Sequence, residues 1–240
     1  MAGDGGLALQ FLLGVDRGLP LDFAFRLLGI PVRVSAFFLL TAVLLGPRGQ
    51  RGSWILLAAV WVAVVFVSVL LHELAHAFVA KAFGRTPSIQ LHAFGGLTSW
   101  QSRGPLSPGR RVLVGLAGPG VGIVLGTAAL VPMLLLASGE RQGLLATTVA
   151  YAVWVNLGWG LLNLLPMLPL DGGTVMAAAF EAMSRDRGVL IARLISLLLA
   201  VGLGILALLS RWPYGAILCA LFAYTNFEAL RSARAPAVSP

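Results

Sequence analysis

Long apolar stretches constrain the fold of this chain more than any other feature of its sequence. Between Trp54 and Ala80, for example, Glu73 is the only carboxylate, and there is no arginine or lysine. A transmembrane helix needs about 20 predominantly apolar residues. The chain as a whole is 58% hydrophobic and only 11% charged, with a mean hydropathy of +0.91. Soluble domains carry roughly 25% charged residues, so this composition predicts an integral membrane protein in contact with the lipid bilayer.

The predicted fold class is an all-α polytopic membrane protein with about six transmembrane helices. These are expected near residues 32–46, 54–80, 112–137, 144–165, 190–209 and 213–230. Residues 1–31 mix apolar residues with aspartate and arginine, which predicts an interfacial segment lying on the membrane. Residues 32–230 form the predicted transmembrane core, and residues 231–240 a disordered tail.

The distribution of basic residues predicts the orientation of these helices. With the N-terminus in the cytoplasm, thirteen basic residues fall on the inner side and four on the outer side. This bias follows the positive-inside rule and predicts cytoplasmic N- and C-termini. The net charge of +8 is scattered between apolar stretches and forms no single basic stripe, so a nucleic-acid partner is not expected. The predicted location is the inner membrane of a bacterial cell.

The longest polar interval, residues 84–111, contains a predicted β-hairpin near residues 88–100. Apolar side chains alternate at Ile89, Leu91 and Ala93, as in a strand with one buried face. Gly95-Gly96 then provides a turn into a second short strand. We therefore expect a small membrane-associated hairpin beside the helices.

The strongest candidate site is the pentapeptide His72-Glu73-Leu74-Ala75-His76. On a helix, His72 and His76 project from the same face, so both imidazoles can bind one Zn²⁺ ion. Glu73 can reach a metal-bound water, whose pKa the ion lowers, and accept its proton. The alternative is that these are polar helix residues bonded to neighbouring helices. Three ionisable groups so close together in a membrane helix are costly and usually mark function.

A catalytic zinc ion needs a third protein ligand and an open position for water. Asp171 is the best candidate, because it is the only acidic residue within residues 141–180. Pro166 and Pro169 break the helix before it, and Gly172-Gly173 allows unusual backbone angles. Such a break is tolerated in a membrane where it lines a cavity. An aspartate that caps a helix resuming at Gly172 would explain the same pattern, and the two roles are compatible.

The predicted depths of His72 and Asp171 in the membrane are consistent with a site that both residues share. The 20 residues from Gly52 to His72 rise about 30 Å on a helix, which brings His72 close to the cytoplasmic edge of the hydrocarbon. The fourth predicted helix runs in the same direction, and Asp171 follows its last residues. The active site is therefore expected near the cytoplasmic face.

The two motifs together resemble the site-2 protease family of intramembrane zinc proteases. The resemblance rests on His72-Glu73-x2-His76 followed by Asn163-x2-Pro166-x4-Asp171-Gly172, and it extends to Phe94-Gly95-Gly96 and Ala117-Gly118-Pro119. It implies that Asp171 is the third zinc ligand and that Glu73 is the general base. It also implies that Asn163 helps to hold the substrate backbone or oxyanion.

The resemblance further implies a transmembrane or membrane-anchored protein as substrate, and hence regulated intramembrane proteolysis. The sequence has neither the PDZ domain nor the nucleotide-sensing domain of some relatives, so it resembles a minimal form. Some relatives carry a histidine near the position of Ser35, where no ligand is expected here. The alternatives are a metal transporter or metal-binding protein and a catalytically silent relative. The outer halves of the helices offer a transporter almost no polar path, and a silent protein would not need Glu73.

Four further polar residues receive simpler predictions. His92 could reach the metal or the substrate from the hairpin, but a structural role is expected. Asn156 is expected to form an interhelical hydrogen bond. The remaining two, Glu181 and Glu228, are expected on solvated faces or paired with Arg185 and Arg231.

Overall fold

The computed structural model of the protein describes residues 22–47, 54–101, 104–137, 143–184 and 187–234. The strands are β1 (Phe23–Leu27), β2 (Ile30–Val34), β3 (Thr86–His92) and β4 (Gly95–Gln101). The helices are α1 (Ala36–Leu45), α2 (Trp54–Ala82), α3 (Pro108–Ala137), α4 (Leu144–Val153), α5 (Trp159–Asn163), α6 (Asp171–Met183), α7 (Gly188–Leu209) and α8 (Pro213–Arg234). A π-helical turn, Trp154–Gly158, joins α4 to α5.

Four helical segments in the described residues are long and apolar enough to cross a membrane. They are Trp54–Ala82, Pro108–Leu135, Leu144–Asn163 and Gly188–Leu209. The prediction of a multi-pass membrane protein is thus confirmed, but the count of six spans is not. The ten residues of α1 rise only about 15 Å, half of a hydrocarbon core of about 30 Å. The 22 residues of α8 are enough to cross a membrane, but the helix is too polar to be identified as a membrane span.

The chain separates into two compact units. The first contains residues 1–105 and 117–161, and the second contains residues 106–116 and 162–240.

The first unit contains a four-stranded sheet in the order β1-β2-β3-β4. The predicted hairpin is present, because β3 and β4 pair antiparallel with Ile89 opposite Thr98. The sequence did not lead us to expect β1 and β2, which pair antiparallel with each other, while β2 runs parallel to β3. Residues 32–34 are therefore strand, although they were expected at the start of a transmembrane helix. Part of the predicted interfacial segment 1–31 is strand as well. Residues 1–21 of that segment lie outside the described residues.

The sheet and α2 share one hydrophobic core. Ile30, Val32 and Val34 of β2 are at most 1% exposed, as are Ile89 and Leu91 of β3. They pack against the α2 side chains Val69, Leu70, Leu74 and Ala77. Burying apolar surface on this scale is the main favourable contribution to the packing of the sheet on the helix. The result is that the histidine-bearing part of α2 lies directly under the sheet.

The second unit consists of the first residues of α3 together with α6, α7 and α8. Arg111 of α3 forms an ion pair with Glu181 of α6. The expected pairing of Glu181 with Arg185 stays a prediction, because Arg185 lies outside the described residues. Glu228 pairs with Arg231 at 3.6 Å, as predicted. α8 continues to Arg234, four residues into the predicted tail 231–240, and residues 235–240 are outside the described part of the chain.

Candidate metal centre

His72 and His76 lie one turn apart on α2 with their ring nitrogens converging. The two Nε2 atoms are 3.1 Å apart, and both residues are buried. Two nitrogen ligands at 2.0–2.1 Å from a tetrahedral zinc ion would be separated by about 3.3 Å. Among the described residues, these histidines and Glu73 form a cluster whose possible ligand atoms lie within 4.8 Å of one another. The spacing of the two nitrogens therefore fits a single ion.

Gly118 of α3 provides the space that an ion would need. A Cβ atom at this position would lie 2.3 Å from Nε2 of His76 and 2.6 Å from Nε2 of His72. Such distances are shorter than atomic contact, so any other residue would occupy the space between the two rings. The bare backbone of Gly118 thus forms one wall of the site. The donor set and the space beside Gly118 together fit the zinc ion that the sequence predicts.

The rest of α3 approaches its neighbour through glycine as well. A Cβ at Gly122 would lie 3.1 Å from the carbonyl oxygen of Asn156, and a Cβ at Gly126 would lie 2.6 Å from Cγ of Leu157. This run of small residues therefore permits close packing of α3 on its neighbour. It holds α3 near enough to α2 and to the π-helical turn for Gly118 to reach the histidines.

Glu73 is covered by β4, the strand at the end of the sheet. The hydroxyl of Thr98 lies 2.7 Å from Oε2 of Glu73 and 3.0 Å from its backbone carbonyl oxygen. A Cβ at Gly96 would lie 2.4 Å from Cγ of Glu73. Residues 96 and 98 share one face of the strand because side chains alternate. That face packs on α2, and it holds the carboxylate beside the two histidines.

Asn156 forms the interhelical hydrogen bond that the sequence predicts. Its Nδ2 donates to Oγ of Ser68 on α2 at 2.9 Å and to the carbonyl oxygen of Ala152 at 2.9 Å. Asn156 lies at the centre of the π-helical turn, a feature often found at functional sites. Ser68, His72 and Asn156 contribute to the lining of a cavity of about 10 Å³, close to the space of one water molecule.

His92 is used inside the turn between β3 and β4. Its Nδ1 accepts a hydrogen bond from the N–H of Phe94 at 3.3 Å. Burial lowers the pKa of His92 from 6.5 to about 4, because desolvation disfavours the charged ring. These contacts support the structural role that was expected.

Asp171 and Asn163 belong to the second unit. Asn163 is buried at the end of α5, and Asp171 is the first residue of α6. The helix therefore resumes at Asp171 instead of Gly172. Gly172 and Gly173 are helical, and neither adopts the unusual backbone angles that glycine allows there. They serve close packing instead, since a Cβ at Gly172 would lie 2.2 Å from the carbonyl oxygen of Leu164. The roles of Asp171 and Asn163 stay predictions.

Two residues of the site were not assigned a role from the sequence. Gly118 lies in the tripeptide Ala117-Gly118-Pro119, which is part of the family resemblance. Its contact with the histidines depends on tertiary packing. Thr98 was expected in a strand, and the alternation of that strand indicates which residues share its face. Its contact with Glu73 joins positions 25 residues apart, which no local pattern reveals.

The chain is similar to several known zinc metalloproteases. The profile of Peptidase family M50 matches residues 137–209. Protein sll0528 of Synechocystis is 33% identical over 213 residues, 79% of this chain and 53% of that protein. Zinc metalloprotease MJ0392 of Methanocaldococcus jannaschii is 30% identical over 155 residues, 64% of this chain and 44% of that protein. The chain spans about half the length of these curated relatives.

A solved structure also matches most of the chain. The site-2 protease from Methanocaldococcus jannaschii superimposes with a TM-score of 0.60 and 26% sequence identity. The match covers 91% of this chain and 98% of that one.

Proposed function

Because the chain belongs to the site-2 protease family of zinc metalloproteases, we propose that it hydrolyses peptide bonds within or next to transmembrane segments of membrane proteins. The observation that carries this proposal is the juxtaposition of His72, His76 and Glu73 around the space left by Gly118. Metal binding alone requires the two imidazoles, whereas hydrolysis also requires a base, and the carboxylate of Glu73 lies beside them with a hydrogen bond from Thr98.

His72 and His76 would hold one zinc ion, with Asp171 as the third protein ligand. When bound, zinc polarises the scissile carbonyl and lowers the pKa of water. The assignment of Asp171 is supported by its chemistry, by the motif that it shares with the family, and by its place after the break between α5 and α6. Asn163, buried at the start of this break, would bind the substrate backbone or oxyanion.

Glu73 would act as the general base and then as the general acid. Its carboxylate would accept a proton from the attacking water and pass it to the leaving amine. The hydrogen bond from Thr98 to Oε2 would orient this carboxylate. The burial of Glu73 excludes bulk water from its surroundings, and this strengthens electrostatic interactions with a reacting peptide.

A helical substrate must unwind before its peptide bond can be attacked. β4 lies at the end of the sheet order among the described strands, and an edge strand can pair with an extended peptide. Such pairing would compensate for the backbone hydrogen bonds that the unwound helix loses. It would also place the peptide next to Gly96 and Thr98, which contact Glu73. Replacing Leu97 by proline should therefore impair cleavage more than replacing it by alanine.

We place the protein in the inner membrane of a bacterial cell, with cytoplasmic termini and a site near the cytoplasmic face. The basic residues support this orientation. Reporters fused to the two termini would report their side, and an external terminus would contradict the assignment.

The deciding experiment compares the wild type with Glu73→Gln, both purified in detergent and offered a transmembrane substrate. We expect zinc to bind to both proteins and cleavage to occur only with the wild type. The amide keeps the size and most contacts of the carboxylate but cannot take up the proton. Equal cleavage by the two proteins would rule out Glu73 as the base, and the absence of zinc from both would rule out the metal site.

A further inference from the structure

The segment between α5 and α6 is held at a single residue by two other helices. The N–H of Leu168 donates to Oγ of Ser196 on α7 at 2.9 Å. Its carbonyl oxygen accepts from Nδ2 of Asn226 on α8 at 2.7 Å. Both side chains are fully buried, at 0% exposure. Two helices thus satisfy both backbone groups of one residue, three positions before Asp171.

Every donor hydrogen of these two side chains has an acceptor. The Ser196 hydroxyl donates its own hydrogen to the carbonyl oxygen of Ala192 at 2.7 Å, which leaves its lone pairs for Leu168. The second N–H of Asn226 donates to the carbonyl oxygen of Phe222 at 2.8 Å. Its Oδ1 accepts from Nη1 of Arg193 at 3.4 Å. A flipped amide would set its oxygen against two carbonyl oxygens, so the orientation of Asn226 is determined.

The rest of the segment restricts movement of Asp171 relative to Leu168. Pro169 has no N–H, and the N–H of Leu170 bonds locally to the carbonyl oxygen of Met167 at 2.8 Å. A Cβ at Gly173 would lie 2.3 Å from the backbone nitrogen of Leu168, so the first turn of α6 packs directly on the clamped residue. A displacement of Leu168 would therefore be transmitted to the start of α6.

We propose that Ser196 and Asn226 are positioning residues for Asp171, which hold its carboxylate where a zinc ligand is needed. This inference rests on the proposed function, in which Asp171 is the third ligand. A metal ligand must be held to within about 0.5 Å of its productive position by its supporting residues. The same hydrogen bonds would also be needed simply to satisfy backbone groups where the helix is broken. The test must therefore distinguish this structural role from a positioning role.

The test measures zinc affinity by chelator competition on the full-length protein in detergent. Ser196→Ala removes one bond to Leu168, and Asn226→Leu removes the other. Losing such a supporting partner typically weakens metal binding 10–100-fold, and we expect about tenfold for each variant. Thr225→Val is the matched control, because Thr225 neighbours Asn226 and its hydroxyl donates to the same carbonyl oxygen, that of Phe222. It should leave the affinity unchanged.

A double-variant comparison separates the two roles. In an Asp171→Asn background, Ser196→Ala should cause no further loss of zinc affinity if it acts through Asp171. The visible absorption of the Co²⁺-substituted protein provides a second readout, since Ser196→Ala should shift it toward the spectrum of Asp171→Asn. Should Asn226→Leu fail to fold, Ser196→Ala tests the proposal alone, because it removes a single oxygen atom.

Each result has a distinct meaning. Weaker binding in Asp171→Asn and Ser196→Ala, with Thr225→Val unchanged and no additivity in the double variant, supports the proposal. If Asp171→Asn weakens binding but Ser196→Ala and Asn226→Leu match the control, the positioning role is wrong while the ligand assignment stands. Additive losses in the double variant also overturn it. If Asp171→Asn binds zinc like the wild type, the ligand assignment fails, and the positioning role fails with it.

Discussion

Thr98 on β4 donates its hydroxyl hydrogen to Glu73 on α2, with its oxygen 2.7 Å from the carboxylate and 3.0 Å from the backbone carbonyl of the same residue. A hydroxyl has one hydrogen, so it can satisfy only one of these oxygens at a time. A shift of β4 by a fraction of an ångström would change which oxygen receives it. The strand that we propose to bind substrate is therefore connected directly to the proposed general base.

Thr98→Val should lower kcat without changing zinc content. A hydrogen bond to a charged group contributes about 1.5–3 kcal/mol, which corresponds to roughly a 10–100-fold change in rate. The two histidines do not depend on this bond, so zinc binding should be preserved. Ser99→Ala is the control, because Ser99 lies on the opposite face of β4 and bonds to Ser88. The prediction is wrong if the two variants cleave a transmembrane substrate at the same rate.

Gly118→Ala should abolish zinc binding while the helices remain folded. The added methyl group would lie 2.3 Å from Nε2 of His76, in the space between the rings. Gly120→Ala on the same helix meets no atom within 4 Å, and it should bind zinc like the wild type. Metal analysis of the purified proteins, with circular dichroism as a check of helix content, decides between the outcomes. A stoichiometric zinc ion in Gly118→Ala would contradict the site geometry.

Asn156→Leu should destabilise the first unit by about 1–3 kcal/mol. The substitution leaves Oγ of Ser68 without its donor in buried surroundings, and an unsatisfied buried group carries a penalty of this size. Adding Ser68→Ala should recover part of the loss, since replacing both partners by apolar groups is nearly neutral. Thr148→Val, which removes an exposed hydroxyl from α4, serves as the control. Thermal unfolding in detergent measures the effect, and equal midpoints for Asn156→Leu and the control would refute it.

His92 should make the protein less stable in mild acid. Its pKa is lowered from 6.5 to about 4 in the folded protein. Between these values the unfolded chain binds the proton and the folded chain does not, so the free energy of unfolding falls as the pH drops from 6.5 to 4. Above pH 6.5 this contribution is fully present. His92→Gln should flatten the profile over that range in metal-free protein. An unchanged profile would show that other groups cause the acid sensitivity.

The sequence predicts the parts of the site that depend on local geometry. His72 and His76 share a helix face because of their spacing, and the hairpin follows from the alternation around Ile89. β2 has the same alternation, at Ile30, Val32 and Val34, but the apolar residues that follow in α1 made residues 32–34 resemble the start of a transmembrane helix. β2 also pairs with β3, more than 50 residues later, and no local pattern reveals that partner.

Contacts between distant segments could not be predicted for a related reason. Ser196 and Asn226 are polar residues in largely apolar helices, a signal that they need partners in the membrane. The sequence does not name those partners, since Leu168 lies 28 residues from one and 58 from the other. The role of Gly118 could not be predicted either, because it depends on which residues α3 packs against.

The parallel pairing of β2 with β3 has a consequence for biosynthesis. The strands are joined through α1 and α2, so β2 has no neighbour on that side until both helices and β3 have been made. β4 emerges later still, and only then does Thr98 reach Glu73. A nascent chain that has inserted α2 therefore carries the histidines and the carboxylate without the strand that covers them. The ribosome must extend the polypeptide past Gln101 before the contact between Thr98 and Glu73 can form.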